Sequence, residues 1–145
     1  MKSIDINTTV TALDEIFNRY PYIVAAYLFG SCAQDKEGPM SDIDIAILLK
    51  EPHPEGRKLI HKIDYLAYLL SKTFSNEVDL VILNNQGLLF QHNILKTGRL
   101  IYDAEPDERI RFETGVITHY CDFEPTLRFM DKYYPDGYRR RLAKI

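Results

Sequence analysis

Apolar positions along the chain alternate between two patterns, stretches spaced three and four apart and short continuous runs, which predicts helices interleaved with strands. From Thr8 the chain places Val10, Leu13, Ile16 and Phe17 on one helical face, and Pro21 ends the segment. Ile23 to Phe29 is an apolar run closed by Gly30, the pattern of a strand buried on both faces. The polar stretch Cys32 to Ser41 contains Gly38-Pro39 and turns the chain back, so that a second run, Ile43 to Leu49, pairs with the first as another strand. Beyond Pro52 and Pro54, the residues Leu59, Ile63, Leu66 and Leu70 recur at helical spacing up to Phe74. Val78 to Leu83 returns to a strand pattern ended by the turn pair Asn84-Asn85. Leu88 to Lys96 reads as a helix stopped by Gly98, and Leu100 to Tyr102 as a short extended piece. A last helix starts near Pro106, with Ile110, Val116, Ile117 and Tyr120 as its apolar stripe up to about Phe123, and Pro125 is expected to interrupt it.

These elements predict an α/β (α+β) sandwich, a small mixed sheet of three to four strands flanked by helices, with the helices on one side. Strand order is not readable from the pattern. With 145 residues the chain is read as a single domain over 1–145, with a C-terminal helix and basic tail from about residue 105.

Composition narrows the classes. A hydrophobic share of 46% beside 27% charged residues is that of a globular protein, and no apolar run is long enough for a membrane span. No export signal stands at the N-terminus, so cytoplasmic localisation and no membrane partner are expected. The net charge of -3 argues against stable nucleic-acid binding through a broad basic surface, although Arg139, Arg140 and Arg141 form a basic tail. Cys32 and Cys121 are too few for a disulfide scaffold, and His53, His61, His92 and His119 lack zinc-site spacing.

The chemistry concentrates in one constellation. Asp42 and Asp44 stand two apart on a strand, so both side chains leave the same face while Ile43 points into the core. Two adjacent carboxylates repel unless a cation lies between them, and magnesium favours such hard oxygen ligands while keeping waters and phosphate oxygens. Upstream, Gly30 lets the backbone approach phosphates closely and Ser31 offers a hydroxyl and amides to phosphate oxygens.

Leu28-Phe29-Gly30-Ser31 followed by Ser41-Asp42-Ile43-Asp44-Ile45-Ala46 resembles the motif of the DNA polymerase β-like nucleotidyltransferase superfamily, specifically its minimal, single-domain members (MNT). Ile94 to Tyr102 and Arg111-Phe112-Glu113 through Tyr120 to Phe123 look like the later parts of bacterial minimal nucleotidyltransferases encoded beside HEPN proteins. The resemblance implies a polymerase β-like fold and a magnesium-dependent nucleotidyltransferase using ATP and two Mg2+ ions. It implies metal and catalytic roles for Asp42 and Asp44, with Asp79 as the third carboxylate, and nucleotide binding by Gly30, Ser31 and Ser41. It further implies an antitoxin, a protein adenylyltransferase that moves AMP onto a tyrosine of a cognate HEPN-domain ribonuclease toxin. Two other readings stay open: transfer to a small molecule or an RNA end, and a non-catalytic antitoxin that neutralises by binding. The acceptor domain that small-molecule enzymes usually add has little room in the roughly 40 residues after Tyr102.

Overall fold

Two adjacent strands made almost entirely of apolar residues dictate the architecture, because each must be covered on both faces. A computed structural model describes residues 6–30 and 42–133. Its elements are α1 (Ile6–Phe17), β1 (Ile23–Phe29), β2 (Ile43–Leu49), α2 (Gly56–Phe74), β3 (Val78–Ile82), a 3-10 turn (Leu83–Asn85), α3 (Leu88–Thr97), β4 (Arg99–Asp103) and α4 (Pro106–Tyr133). The strands form one sheet in the order β3-β2-β1-β4. β1 pairs antiparallel with β2 and with β4, whereas β2 and β3 run parallel. A parallel pair needs a crossover, and α2 supplies it.

The expectation of helices on one side is corrected. One core layer packs Leu13 and Phe17 of α1 and Leu59, Leu66 and Leu70 of α2 against Ile43, Ile45 and Ile47. On the opposite face, Ile94 of α3 and Phe112 of α4 pack with Val24, Tyr27, Ala46 and Leu48. Side chains on a strand alternate between faces, so apolar runs as continuous as β1 and β2 require a layer on each. Two register shifts disturb the alternation, one on β1 between Ile23 and Ala25 and one on β4 opposite Ala26 and Tyr27. The first places Val24 and Ala25 in the same layer, the second Ile101 and Tyr102, as an inserted residue in a bulge does.

Polar contacts fasten the ends. Asn84 receives the Leu49 amide at 2.9 Å on Oδ1 and donates from Nδ2 to the Leu49 carbonyl at 2.8 Å. Its side-chain amide thus acts as a strand neighbour where β3 has turned away. Tyr27 donates its hydroxyl to Glu113 Oε2 at 2.8 Å, and Arg109 bridges Glu113 Oε1 (2.7 Å) and Asp103 Oδ1 (2.9 Å), which ties α4 to β1 and β4. Burial and the Glu113 carboxylate push the Tyr27 hydroxyl far above its ordinary range, so it stays protonated and donates.

Helix α4 departs from expectation twice. It continues through Pro125 to Tyr133, and its buried positions are Val116 and Leu127, while Ile110 and Ile117 are 50% and 49% exposed. The buried face therefore runs Phe112, Val116, Leu127, and burial of Leu127 two residues past the proline holds the helix together beyond it. Gly98 does end α3, but at φ -78, an extended conformation rather than a left-handed cap. A Cβ there would lie 2.6 Å from the Ile94 carbonyl oxygen and 3.1 Å from that of Leu28, so glycine is required by close packing. The basic tail at Arg139 to Arg141 and Cys32 lie outside the described residues.

A proline inside a helix removes one backbone hydrogen bond and crowds the preceding turn, at a cost of about 3 kcal/mol in an unconstrained helix. Pro125→Ala is expected to stabilise the protein by about 1–3 kcal/mol in urea denaturation. An unchanged or lower midpoint would show that α4 needs the distortion to seat Leu127.

Candidate active site

The carboxylates are brought together by strand register. Asp44 on β2 is the Cα partner of Asp79 on β3, and Phe29 on β1 is the partner of Asp44 on the other side. Neighbouring strands lie about 4.8 Å apart, so two acids at one register position face each other across a single strand gap. Asp42, two residues before Asp44, belongs to the same face. That face is the one covered by α3 and α4, since the intervening Ile43 and Ile45 enter the opposite layer. Asp44 is half-buried, and Asp42 and Asp79 are exposed. The three expected carboxylates thus lie on one face at the corner of the sheet where β1 ends and β2 and β3 begin.

Their mutual repulsion is visible at Asp44. Burial, then Asp79, then Asp42 push its carboxyl above the ordinary carboxylate value of 3.8. Among the described residues neither Asp44 nor Asp79 joins an ion pair. Concentrated charge of one sign, open to solvent on one side, suits a hard divalent cation. Among the described residues no three acidic, histidine or cysteine side chains stand close enough together to hold a metal ion in this arrangement, so Asp42, Asp44 and Asp79 share a face without converging on one point. The carboxylates form an open rim, which fits magnesium, an ion that keeps waters and phosphate oxygens in its shell.

Gly30 completes the rim. Its φ of +76 is a left-handed conformation that side chains disfavour, and a Cβ there would stand 2.7 Å from Asp44 Oδ2. The turn after β1 therefore presses its backbone against the Asp44 carboxylate. Phe29 is fixed just before it by an edge-on contact with Phe90 of α3, ring centroids 5.6 Å apart at 81°. Sequence reading offers no signal for Phe90 beyond an apolar position in a helix. Ser31 and Ser41, the other expected nucleotide-binding residues, lie outside the described residues. No helix among the described residues is long and apolar enough to cross a membrane.

Comparison with known proteins gives a consistent picture. A family model described as Polymerase beta, Nucleotidyltransferase matches residues 11–107. The chain is similar to the protein adenylyltransferase MntA of Aphanizomenon flos-aquae (strain 2012/KM1/D3), 29% identical over 110 residues that cover 70% of this chain and 71% of that protein. Among solved structures it resembles a chain of a toxin-antitoxin complex with AMP-PNP, with 22% identity, TM-score 0.66, and 90% of this chain and 98% of that one covered. It also resembles a chain from a tri-AMPylated Shewanella oneidensis HEPN toxin in complex with MNT antitoxin, with 20% identity, TM-score 0.61 and coverage of 88% and 98%. A third similar structure, a putative minimal nucleotidyltransferase, has 17% identity, TM-score 0.52 and coverage of 68% and 97%. At these identities the structural likeness establishes the fold.

Two expected outcomes follow from the geometry. Because the folded-state carboxyl of Asp44 is raised, its contribution to stability is complete below 3.8 and is lost as pH rises through the raised value. In metal-free buffer Asp44→Asn should therefore melt above the wild type at neutral pH, with the gap closing as pH falls towards 4; a variant less stable at pH 7 would contradict the repulsion. Gly30→Ala should displace the turn or Asp44 and lower the melting temperature by several degrees, about 1–2 kcal/mol for a side chain forced into the left-handed region. Calorimetry showing no loss would mean that the turn relaxes without strain.

Proposed function

We propose, from the premise that the chain belongs to the Polymerase beta, Nucleotidyltransferase family, that it transfers AMP from ATP to a tyrosine of a cognate HEPN-domain toxin and so acts as its antitoxin. The observation that carries the enzymatic part is the placement of Asp44 opposite Asp79, with the Gly30 turn against Asp44. A protein that only covered its partner would gain nothing from repelling carboxylates held at one corner. The partner rests on similarity to the adenylyltransferase MntA and to an MNT antitoxin in complex with a tri-AMPylated HEPN toxin, and the tyrosine acceptor on the resemblance carried by the sequence motifs.

In the reaction, the acceptor hydroxyl oxygen bonds to the α-phosphorus of ATP while the bond from that phosphorus to the bridging oxygen breaks and pyrophosphate leaves. Asp42, Asp44 and Asp79 would hold magnesium, which when bound neutralises charge on the entering and leaving oxygens. Asp79, exposed on the edge strand, is assigned to the acceptor side, where it draws the proton from a hydroxyl whose pKa in water is about 10. Gly30 and Ser31 are assigned to the β- and γ-phosphates, and Ser41 to nucleotide binding. A tyrosine presented by a protein partner brings its own recognition surface.

The test is co-expression with the partner encoded beside it, followed by mass spectrometry of the partner. The wild type should add AMP to a partner tyrosine and protect cells, and Asp42→Asn with Asp44→Asn should lose both at matched expression. Magnesium with ATP should raise the melting temperature of the wild type and leave that of the double variant unchanged. Full protection by the double variant would show that binding alone neutralises the toxin.

A further inference from the structure

We infer that the solvent-facing stripe of α2, in which Arg57, Lys58 and Lys72 are interleaved with His61, Tyr65 and Tyr68, binds single-stranded nucleic acid. The inference is independent of the nucleotidyl-transfer reading above, because the stripe lies on the other side of the molecule. Leu59, Leu66 and Leu70 of α2 enter the layer that contains Ile43, Ile45 and Ile47, whereas the carboxylates belong to the opposite face of the sheet. The side of α2 turned away from those leucines therefore looks out from the sheet, away from Asp42, Asp44 and Asp79.

Helical spacing collects the stripe. At about 100° per residue, positions 57, 61, 65, 68 and 72 fall within a sector of about 80°, nearly opposite the buried leucines, and Lys58 borders it about 20° further round. All six side chains are exposed, Tyr65 and Tyr68 by 55% and 51%. With a rise of about 1.5 Å per residue the stripe runs for about 22 Å. The rings of Tyr65 and Tyr68 stand 6.3 Å apart at 31°, and the Lys72 ammonium lies 4.7 Å from the centre of the Tyr68 ring. Asp64, the one acid in α2, stands on the flank towards β3, where it lines a groove with Ile63, Leu80 and Ile82.

The net charge of -3 is an average over the chain, and it conceals this helix. Within α2, Arg57, Lys58, Lys62 and Lys72 stand against Asp64 alone, and among the described residues none of the four joins an ion pair with an acid. Unneutralised cations in one row on an acidic protein are complementary to an anionic ligand. The interleaved rings select which one. Bases stack on aromatic faces while ammonium and guanidinium groups follow the phosphates, and single strands are held in this way with little regard to sequence. An acidic peptide would use the cations and leave the rings idle. A duplex keeps its base faces inside the stack and would leave them idle as well.

Fluorescence anisotropy of labelled strands titrated with the full chain tests this. RNA and DNA strands of one sequence and about 12 nucleotides tell which of the two is taken, and binding of either supports the stripe. Affinity should fall with salt, with a logarithmic slope of about -2 for three phosphate contacts. Tyr65→Ala with Tyr68→Ala should weaken binding about tenfold or more, and Tyr65→Phe with Tyr68→Phe should retain it, since ring faces rather than hydroxyls stack. Arg57→Glu with Lys58→Glu should weaken it at least as far and flatten the salt dependence. The charge reversals decide alone if the alanine pair lowers the melting temperature. No binding at low salt, wild-type affinity in a folded alanine pair, or binding that survives the charge reversals would each overturn the inference. A polyglutamate peptide that binds as tightly as the single strand would overturn it in favour of an acidic protein partner, and a duplex that does so would reject the stacking on which it rests.

Discussion

In-register pairing of β2 with β3 is the constraint on which the site depends, because it holds Asp44 opposite Asp79 against their repulsion. The pairing survives because its cost is met by the sheet as a whole. Ile43, Ile45 and Ile47 alternate with the acidic positions and enter a fully buried layer. A one-residue slip of β2 would turn those isoleucines out to solvent and the aspartates into the core. The apolar half of the strand thus fixes the acidic half, and the crowded carboxylates are a local loss set against a much larger gain from burial.

The same logic explains why the corner is open. Both faces of the sheet need cover, yet cover over Asp44 would bury a charge that joins no ion pair among the described residues, which is far more costly than leaving it wet. Among the described residues α3 shields Phe29 through Phe90, and Gly98 lets the end of the helix close on the Leu28 carbonyl of β1, while Asp42 and Asp79 stay exposed. Tyr27, Glu113 and Arg109 then anchor α4 on the same face without reaching the carboxylates.

Most elements were legible in the sequence because they rest on local pattern. The apolar runs at 23–29 and 43–49, the spacing from Leu59 to Leu70, and the start at Pro106 all became the expected elements. The carboxylates were legible for the same reason, since strand parity alone puts Asp42 and Asp44 on one face. Helix sidedness was misread although the signal was present, because a run such as Ile45-Ala46-Ile47-Leu48 has no solvent face and demands two layers. The course of α4 through Pro125 was hidden in a different way. Local propensity stops a helix at proline, whereas α4 runs on through Pro125 with Leu127 buried two residues beyond it, a burial that no local pattern announces. The bulges at Val24 and Ile101 likewise depend on partners that no short window contains.

Asp79 shows where local pattern ends and register begins. By sequence it is an acid near the start of a strand, a position at which a solvated side chain is the ordinary finding. What sets it beside Asp44 is the β2–β3 register, reached by a crossover through α2 that returns the chain to the same end of the sheet at which β2 begins. An antiparallel β3 would run the other way, so the carboxylate at the start of the strand would emerge at the opposite edge from Asp42 and Asp44. A parallel partner brings two strand beginnings side by side, and with them two acids from segments 35 residues apart in sequence. The place of Asp79 beside Asp44 is therefore a product of topology, and that topology follows from the helix that links the two strands.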